Sequence, residues 1–318
     1  MKRTLGISTS FAIKRWPDPE DWAAIVKQEL GLDIVQFSFD QFDPRGHAES
    51  AAAYAYRARN ACARHGLTVH STFAGLAVYP HNLLMHPLEE GRRDGADWFE
   101  KAFAMTRELG ADAIGGPYGG MDLPSYKDAG RRRETIRAAE EALASLLGQA
   151  PRYGIASFYW EQTPIAREGP VDRAGTLAHL ERINAIRPKD GAEFRLCLDV
   201  GHAISPDAPE SEKDPYSWLE KLAPYAPMIH LQQTDGRYDR HWPFTEERNE
   251  QGVIEADRVL GAIRKSGAAD PLLLIEVGHA FEEDDDRVLN DLRESVRYWK
   301  DAIAREKTAR EMAQEFPG

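Results

Sequence analysis

The 318-residue chain contains only two cysteines, Cys62 and Cys197, which lie far apart in apolar surroundings. This scarcity argues against a disulfide-stapled fold and favours the reducing cytoplasm as the location. No stretch approaches the roughly 18 apolar residues that span a bilayer. Lys14 and Arg15 stand where a signal peptide would need its apolar core. We therefore expect neither a membrane segment nor a targeting segment.

Basic residues are too few for a typical nucleic-acid-binding protein. Lys and Arg total 40 against 52 Asp and Glu, which gives a formal net charge of −12. Proteins that bind nucleic acid usually show the opposite balance, with their cations gathered on one face. Hydrophobic residues make up 42% and charged residues 29%, which is an ordinary globular mixture. The composition predicts a folded protein whose partner is a small molecule and not a nucleic acid.

Short apolar runs alternate with amphipathic helical segments along the whole chain. Strands that alternate with helices form parallel sheets, and eight such units fit a closed (β/α)8 barrel. A doubly wound sheet is the alternative, but no GxGxxG follows the first strand. We expect one α/β domain over residues 1–305, a single (β/α)8 TIM barrel, and a polar helical or frayed tail over residues 306–318. The strand candidates are Thr4–Ser10, Asp33–Phe39, Leu67–Phe73, Ala111–Gly115, Ile155–Glu161, Glu193–Val200, Pro227–Gln233 and Leu272–Val277.

Polar residues stand at the ends of the last four strand candidates. Glu161, Asp199 and Glu276 each close an apolar run, and the seventh strand carries His230 and Gln232. Barrel enzymes place their active groups at the C-terminal ends of the strands, so these side chains should converge. Three converging carboxylates repel one another unless a cation compensates them. An oxygen-rich set with one His or Gln suits one Mg²⁺ or Mn²⁺ ion, and Co²⁺ or Zn²⁺ less well. The alternative is that the three acids are separate helix caps.

At these positions the chain resembles the sugar-phosphate isomerase/epimerase superfamily, the xylose-isomerase-like barrels. The superfamily pattern is a Glu, an Asp-x-x-His, a seventh-strand His or Gln, and a second Glu. More narrowly, three segments resemble the tetrulose-phosphate epimerases of erythritol catabolism. They are SFAIKRW at 10–16, IHLQQTDGRYDRHW at 229–242 and FEEDDD at 281–286.

The resemblance implies that Glu161, Asp199 and Glu276 bind the metal. The fourth ligand is open, because His230 and Gln232 are two apart and face the same side of the strand. The hydroxypyruvate-isomerase-like pattern favours Gln232, which we prefer, whereas the endonuclease-like and ketose-epimerase patterns favour His230.

The resemblance also implies contacts to the substrate. His202 matches the family histidine that contacts a substrate oxygen, with a neutral core histidine as the alternative. Arg237 is the nearest match to a substrate-binding arginine but stands one residue out of register. Asp239 and His241 lie in the same polar loop and are candidates to line the substrate.

Two cations near the N-terminus are candidates for holding a phosphate. Lys14 and Arg15 precede Trp16, and cations beside an aromatic at a barrel mouth can bind a phosphate group. The alternative is a solvated approach to the first helix. His279 repeats the position of His202 in a second VGH segment, and we expect it beside the metal site or on the surface. Glu168 stands one residue beyond the place of a second family glutamate, so that role is not assigned to it.

The expected function is that of a metal-dependent epimerase acting on a small ketose or ketose phosphate, with a tetrulose phosphate favoured. Glu161 and Glu276 would remove and return a proton on opposite faces of the substrate, through an enediolate. One-face transfer would instead give an aldose–ketose isomerase. A dehydratase of the inosose type and an endonuclease-like zinc hydrolase are further alternatives, although the hydrolase needs early-strand histidines and only His70 is available. Related barrels often form homo-dimers or tetramers.

Overall fold

The structure, a computed structural model, describes residues 3–315 of the chain. Its strands are all parallel and close into one barrel in chain order, with β8 paired to β1. This confirms the predicted single (β/α)8 TIM barrel and rules out the doubly wound alternative. The strands are β1 (Thr4–Ser8), β2 (Ile34–Ser38), β3 (Thr68–Phe73), β4 (Ala113–Gly116), β5 (Ser157–Glu161), β6 (Glu193–Asp199), β7 (Met228–Leu231) and β8 (Leu272–Ile275).

Several helices begin or end at residues that favour helix termini. Asp172 and Asp214 accept backbone N–H groups at the starts of their helices, and Gly66 and Gly110 end theirs in the left-handed conformation. The helices are α1 (Pro19–Ala24), α2 (Ala48–His65), α3 (Glu89–Leu109), α4 (Leu123–Lys127), α5 (Ala129–Gln149), α6 (Arg173–Ile186), α7 (Pro215–Leu222), α8 (Glu246–Gln251), α9 (Ala256–Ser266) and α10 (Asp285–Glu315).

Two short helices and the end of the chain add detail to the sequence expectation. The short helices α4 and α8 lie in the connections after β4 and β7, where no helix was predicted. Helix α10 continues without a break to Glu315, so the tail predicted as helical or frayed is helical as far as that residue. Residues 316–318 of that tail lie outside the described residues, and the division at residue 305 stays a prediction.

The barrel interior provides an apolar floor beneath the strand ends. Successive side chains of a strand point to opposite faces, so every second residue faces inward. A buried cluster inside the barrel includes Tyr159, Cys197, Met228 and Leu274. Each of these stands two positions before a predicted site residue, which is on the same strand for Glu161, Asp199 and His230 and directly after it for Glu276. Because alternate residues of a strand share a face, the strands that bury these four apolar side chains also place the four site residues at the barrel mouth.

Both cysteines are buried and free, as the scarcity of cysteine predicts. Within the described residues, no helix combines the length and apolarity required to cross a membrane.

Candidate active site

Four side chains from consecutive strands meet at the C-terminal mouth of the barrel. Glu161 ends β5, Asp199 ends β6, His230 lies in β7, and Glu276 follows β8 directly. One potential ligand atom from each of the four lies within 4.8 Å of the others. Asp199 and His230 are direct register partners, so the sheet itself holds two of the groups side by side. The predicted convergence of the strand ends is what brings these residues together.

His230 lies between the two glutamates. Its Nδ1 is 2.9 Å from Glu161 Oε1 and 2.9 Å from Glu276 Oε2. The ring is fully buried and packs edge-on against Phe73, with ring centroids 4.7 Å apart. The same imidazole nitrogen thus faces two carboxylates, that of Glu161 on β5 and that of Glu276 after β8.

Gln232 is buried beside the cluster and uses its amide differently. Its Nε2 donates to Asp199 Oδ1 at 3.0 Å and to Asp239 Oδ1 at 2.6 Å, while its Oε1 accepts the backbone N–H of His241 at 2.6 Å. Gly201 makes room for this side chain, because a Cβ there would lie 2.5 Å from Gln232 Cδ. Gln232 therefore links the metal-binding candidate Asp199 to the loop after β7.

Charge and burial shift the pKa values of the cluster in opposite directions. Burial raises the pKa of Glu161 and of Asp199. Burial would also raise the pKa of Glu276, but the charge of His230 overcomes it and lowers that pKa to about 2. For His230, burial opposes the charged form, but Cys197 and Glu276 raise its pKa well above the usual value. Burial thus disfavours the ionised forms of Glu161 and Asp199, and the charge of His230 favours the ionised form of Glu276.

The donor set fits a divalent cation. The buried carboxylates of Glu161 and Asp199 converge here with the partly buried carboxylate of Glu276. Among the described residues the ion pairs of the two glutamates are with histidines, with no Lys or Arg. Asp199 Oδ2 is buried and has no hydrogen-bond partner among the described residues. Unpaired buried carboxylate oxygens are rare, and a cation at their centre would satisfy them. Glu161, Asp199, Glu276 and one nitrogen or amide oxygen of the seventh strand would hold it.

A second group of polar side chains lies beside the first. His202 Nδ1 is 2.7 Å from the carbonyl oxygen of Gln162, and its Nε2 is 3.2 Å from Asp239 Oδ2. His241 Nε2 lies 3.3 Å from Asp239 Oδ1. Burial opposes the charged imidazoles, but Asp199 and Asp239 raise the pKa of His202 well above its usual value. Asp239 likewise raises the pKa of His241 to about 10. The predicted residues His202, Asp239 and His241 therefore form one charged group.

The loop after β7 is folded back to deliver these residues. Gln233 and Trp242 form an antiparallel bridge, with N–H···O distances of 2.9 and 3.0 Å. His241 adopts a φ of +47°, which is uncommon for a residue other than glycine. Arg237 lies at the far end of this hairpin, is exposed, and does not line the cavity. The structure thus brings Asp239 and His241 to the site and leaves Arg237 outside it.

A cavity of about 320 Å³ joins the two groups and opens to solvent. That size suits a small-molecule ligand. Leu76 and Phe281 line it although they are largely exposed, so they stand at its rim. Arg15 also lines the cavity, whereas Lys14 is exposed, does not line it, and places Nζ 5.0 Å from the Phe281 ring centroid. The predicted pair of cations is therefore split between the cavity wall and its rim.

Sequence reasoning missed one acid near this cavity, assigned no role to a second, Glu168, and set aside a histidine that lines the cavity. Asp40 follows β2 and accepts the backbone N–H groups of Leu76 and Ala77 at 2.8 and 2.6 Å. Glu168 accepts the Tyr79 hydroxyl at 3.1 Å. An acid directly after an apolar strand was a usable signal for Asp40, but only the late strands were considered. His279, expected at the edge of the site or on the surface, lines the cavity.

Early-strand histidines, which the zinc hydrolase alternative requires, do not reach the site. His70 lies on β3, stacks on Tyr159 with centroids 5.9 Å apart, and places Nδ1 3.2 Å from Ser71 Oγ. His70 does not line the cavity, and it belongs to none of the groups of potential metal ligands among the described residues. The site holds acids and the histidines of the late strands.

Comparison with known proteins relates this arrangement to sugar epimerases. A curated relative, the D-erythrulose 1-phosphate 3-epimerase of Brucella abortus (strain 2308), is 26% identical over 303 residues, covering 94% of this chain and 96% of the relative. A crystal structure of a xylose isomerase candidate from Rhodospirillum rubrum is 32% identical, covers 94% of this chain and 98% of its own, and has a TM-score of 0.86. The D-psicose 3-epimerase of Clostridium cellulolyticum H10 shares the fold, with a TM-score of 0.70 at 13% identity over 94% of this chain and 99% of that one.

A family model described as the xylose isomerase-like TIM barrel matches residues 24–304, which is most of the chain. The match includes the strand ends that carry Glu161, Asp199, His230 and Glu276. It confirms the resemblance inferred from the sequence motifs, and the chain belongs to the xylose isomerase-like TIM barrel family.

Proposed function

We propose that this chain is a metal-dependent 3-epimerase of a ketose phosphate, with a tetrulose phosphate as the favoured substrate. At the coarser level, the chain is an enzyme of the sugar isomerase and epimerase class. The observation that carries the proposal is the pair of glutamates, Glu161 and Glu276, each 2.9 Å from the same nitrogen of His230. Two carboxylates in one cavity are what inversion of a carbon centre requires.

Inversion next to a ketone needs one base to remove a proton and one acid to return it from the other face. Glu161 and Glu276 come from strands that are not neighbours, so they reach the cavity from different sides. One glutamate would remove the proton as a carboxylate, and the other would return one to the opposite face. The configuration of the substrate decides which glutamate does which.

A divalent cation would be held by Glu161, Asp199, Glu276 and His230, and we propose Mn²⁺ or Mg²⁺. When bound, it would supply positive charge that eases removal of the proton next to the ketone. We favour His230 over Gln232 as the seventh-strand ligand because His230 Nδ1 touches both glutamates, whereas the carbonyl oxygen of Gln232 accepts the His241 N–H. Gln232 would then orient Asp199.

His202 and His241 would hold the substrate's oxygens. Both imidazoles flank Asp239, and both line the cavity beside the glutamates. A charged imidazole is a strong donor, and a substrate hydroxyl or ketone oxygen would share with Asp239 the Nε2–H groups that now face its carboxylate. Support for a phosphorylated substrate comes from the relative whose name specifies D-erythrulose 1-phosphate.

Polarimetry provides a direct test. Erythrulose 1-phosphate has a single stereocentre, at C3, so 3-epimerisation converts it into its mirror image. The purified protein with Mn²⁺ should make the optical rotation of the D-form decay to zero, since two enantiomers are equally stable. Glu161→Gln and Glu276→Gln should each slow the decay by about 10²- to 10⁴-fold, the usual contribution of a catalytic acid or base. Glu181→Gln, which changes an exposed glutamate on α6, is the matched control.

Other outcomes would identify the alternatives. Formation of an aldose phosphate would indicate an aldose–ketose isomerase, and loss of water would indicate a dehydratase. Rotation that stays constant for tetrulose, pentulose and hexulose phosphates, and for the free ketoses, would contradict the proposal.

A further inference from the structure

One wall of the cavity is built from the loops after β1 and β8. Ser10, Arg15, His279 and Phe281 line it. Arg15 is the one Lys or Arg side chain that lines this cavity within the part of the chain that the structure describes. The two loops correspond to the SFAIKRW and FEEDDD segments, to which the metal site assigns no role.

Arg15 is held in one orientation by the loop after β8. Its Nε donates to Asp285 Oδ1 at 2.8 Å, and its Nη2 donates to the carbonyl oxygens of Ala280 and Glu283 at 2.7 and 3.1 Å. The side chain is only 7% exposed. A guanidinium has five N–H groups in a rigid fork, so these bonds fix its plane. Among the described residues, none accepts a hydrogen bond from Nη1, which leaves two N–H groups for a ligand.

Two further polar atoms in this wall have no partner among the described side chains and backbone. They are Ser10 Oγ and His279 Nδ1, and both are buried. His279 is 6% exposed at its side chain and places Nε2 3.2 Å from Asp291 Oδ2. Buried polar atoms without partners are rare in folded proteins and call for a ligand or an ordered water. Here two of them share a wall with the unused nitrogen of Arg15.

The chemistry of these atoms matches an oxyanion. Arg15 Nη1 and Ser10 Oγ are donors, and a phosphate presents several acceptor oxygens. Burial lowers the pKa of His279, but an anion next to Nδ1 favours the protonated ring, in which Asp291 accepts from one nitrogen and the anion from the other. A neutral hydroxyl would gain much less from the same three groups.

We propose that Ser10, Arg15 and His279 form the phosphate subsite of the enzyme, here called the anion wall. The inference rests on the proposed function and deepens it. His279 is three residues beyond Glu276, so their Cα atoms lie within about 11 Å, and one small substrate can reach both. The ketone end then lies at the glutamates and the phosphate at the anion wall. Of the two cations predicted to bind a phosphate, Lys14 and Arg15, only Arg15 keeps that role, and it shares it with Ser10 and His279.

Kinetics with and without a phosphate on the substrate test the anion wall. Arg15→Gln, His279→Asn and Ser10→Ala are compared with Arg137→Gln, which removes a cation of α5 that pairs with Glu141 on the same helix. Arg15→Gln should raise KM for the phosphorylated ketose by about 10- to 100-fold, the value of a charge-assisted hydrogen bond, and leave the free ketose unchanged. Inorganic phosphate should inhibit the wild type competitively and inhibit Arg15→Gln much more weakly.

Equal changes for the two substrates, or equal inhibition of wild type and Arg15→Gln by inorganic phosphate, would overturn the anion wall. Arg15 also holds the loop after β8 through its hydrogen bonds, and Ser10→Ala is the variant that leaves those bonds intact. Ser10→Ala must also raise the ratio of KM for the phosphorylated ketose to KM for the free ketose. If no ketose is turned over, the proposed function fails by itself. Calorimetric titration of the wild type and of Arg15→Gln with inorganic phosphate then still tests the anion wall. Phosphate affinity that falls in Arg15→Gln supports the wall, and equal affinity in the two proteins overturns it.

Discussion

At the scale of single residues, the seventh strand offers two possible ligands that differ in their contacts. His230 Nδ1 touches both glutamates at 2.9 Å, whereas Gln232 bonds Asp199, Asp239 and the His241 backbone. Alternation along a strand places both side chains on one face, so the sequence could narrow the ligand to two residues but could not choose. The choice depends on how the loop after β7 packs, which is a tertiary property.

Two alanine variants separate these roles. His230→Ala should weaken Mn²⁺ binding by at least about 100-fold, because it removes a ligand. Gln232→Ala should retain the metal within about 10-fold but lose turnover, because Asp199 and His241 lose an orienting partner. Calorimetric Mn²⁺ titration of both variants measures this. The reverse pattern would assign the ligand to Gln232, and equal retention would remove the seventh strand from the metal site.

At the scale of elements, the strands were predictable and several connections were not. All eight strand candidates correspond to strands of the barrel, because apolar runs bounded by polar residues mark buried parallel strands. The strand-end acids followed from that pattern. Helices α4 and α8 and the hairpin that delivers Asp239 did not, since a helix of five or six residues or a single bridge leaves too little periodicity to detect. Arg237, the out-of-register match, is exposed on this hairpin and does not line the cavity.

Helices α5 and α6 are joined by a buried carboxylate whose contribution should depend on pH. Glu140 Oε1 accepts from Arg182 Nε at 2.8 Å and lies 3.5 Å from His179 Nδ1. Burial would raise the pKa of Glu140, but these partners lower it below the usual value. A lowered pKa in the folded state stabilises the protein above the unfolded pKa, and this stability is lost as pH falls through the folded value.

Glu140→Gln should therefore lower the free energy of unfolding by about 1 kcal/mol at pH 7. The difference from wild type should shrink once the pH drops below about 4, where the unfolded carboxyl is protonated. Urea unfolding at the two pH values measures it. Glu134→Gln, an exposed position on the same helix, should have little effect at either pH. A constant difference between wild type and Glu140→Gln across the range would contradict the assigned ionisation.

At the scale of the whole molecule, a cation that binds only the folded barrel should stabilise it. The candidate ligands come from four strands, so the unfolded chain cannot gather them. Mn²⁺ at a hundredfold excess over its dissociation constant adds about 2.7 kcal/mol, which corresponds to roughly 5 °C in Tm.

Thermal unfolding with Mn²⁺ and with EDTA measures this stabilisation. Asp199→Asn keeps the shape of the side chain and should lose most of the shift, whereas Asp207→Asn, in the exposed loop after β6, should keep it. Equal Tm values of the wild type with Mn²⁺ and with EDTA would contradict stabilisation of the folded barrel by a bound metal.

The central claim is that Glu161 and Glu276 exchange a proton at the carbon next to the ketone. Incubation of erythrulose 1-phosphate with the Mn²⁺-loaded enzyme in D₂O, followed by proton NMR, tests it most directly. We expect the C3 proton signal to disappear as deuterium enters. We also expect Glu161→Gln and Glu276→Gln both to stop accumulation of the deuterated enantiomer while remaining folded. Inversion of C3 without deuterium uptake, or full turnover in both variants, would contradict it.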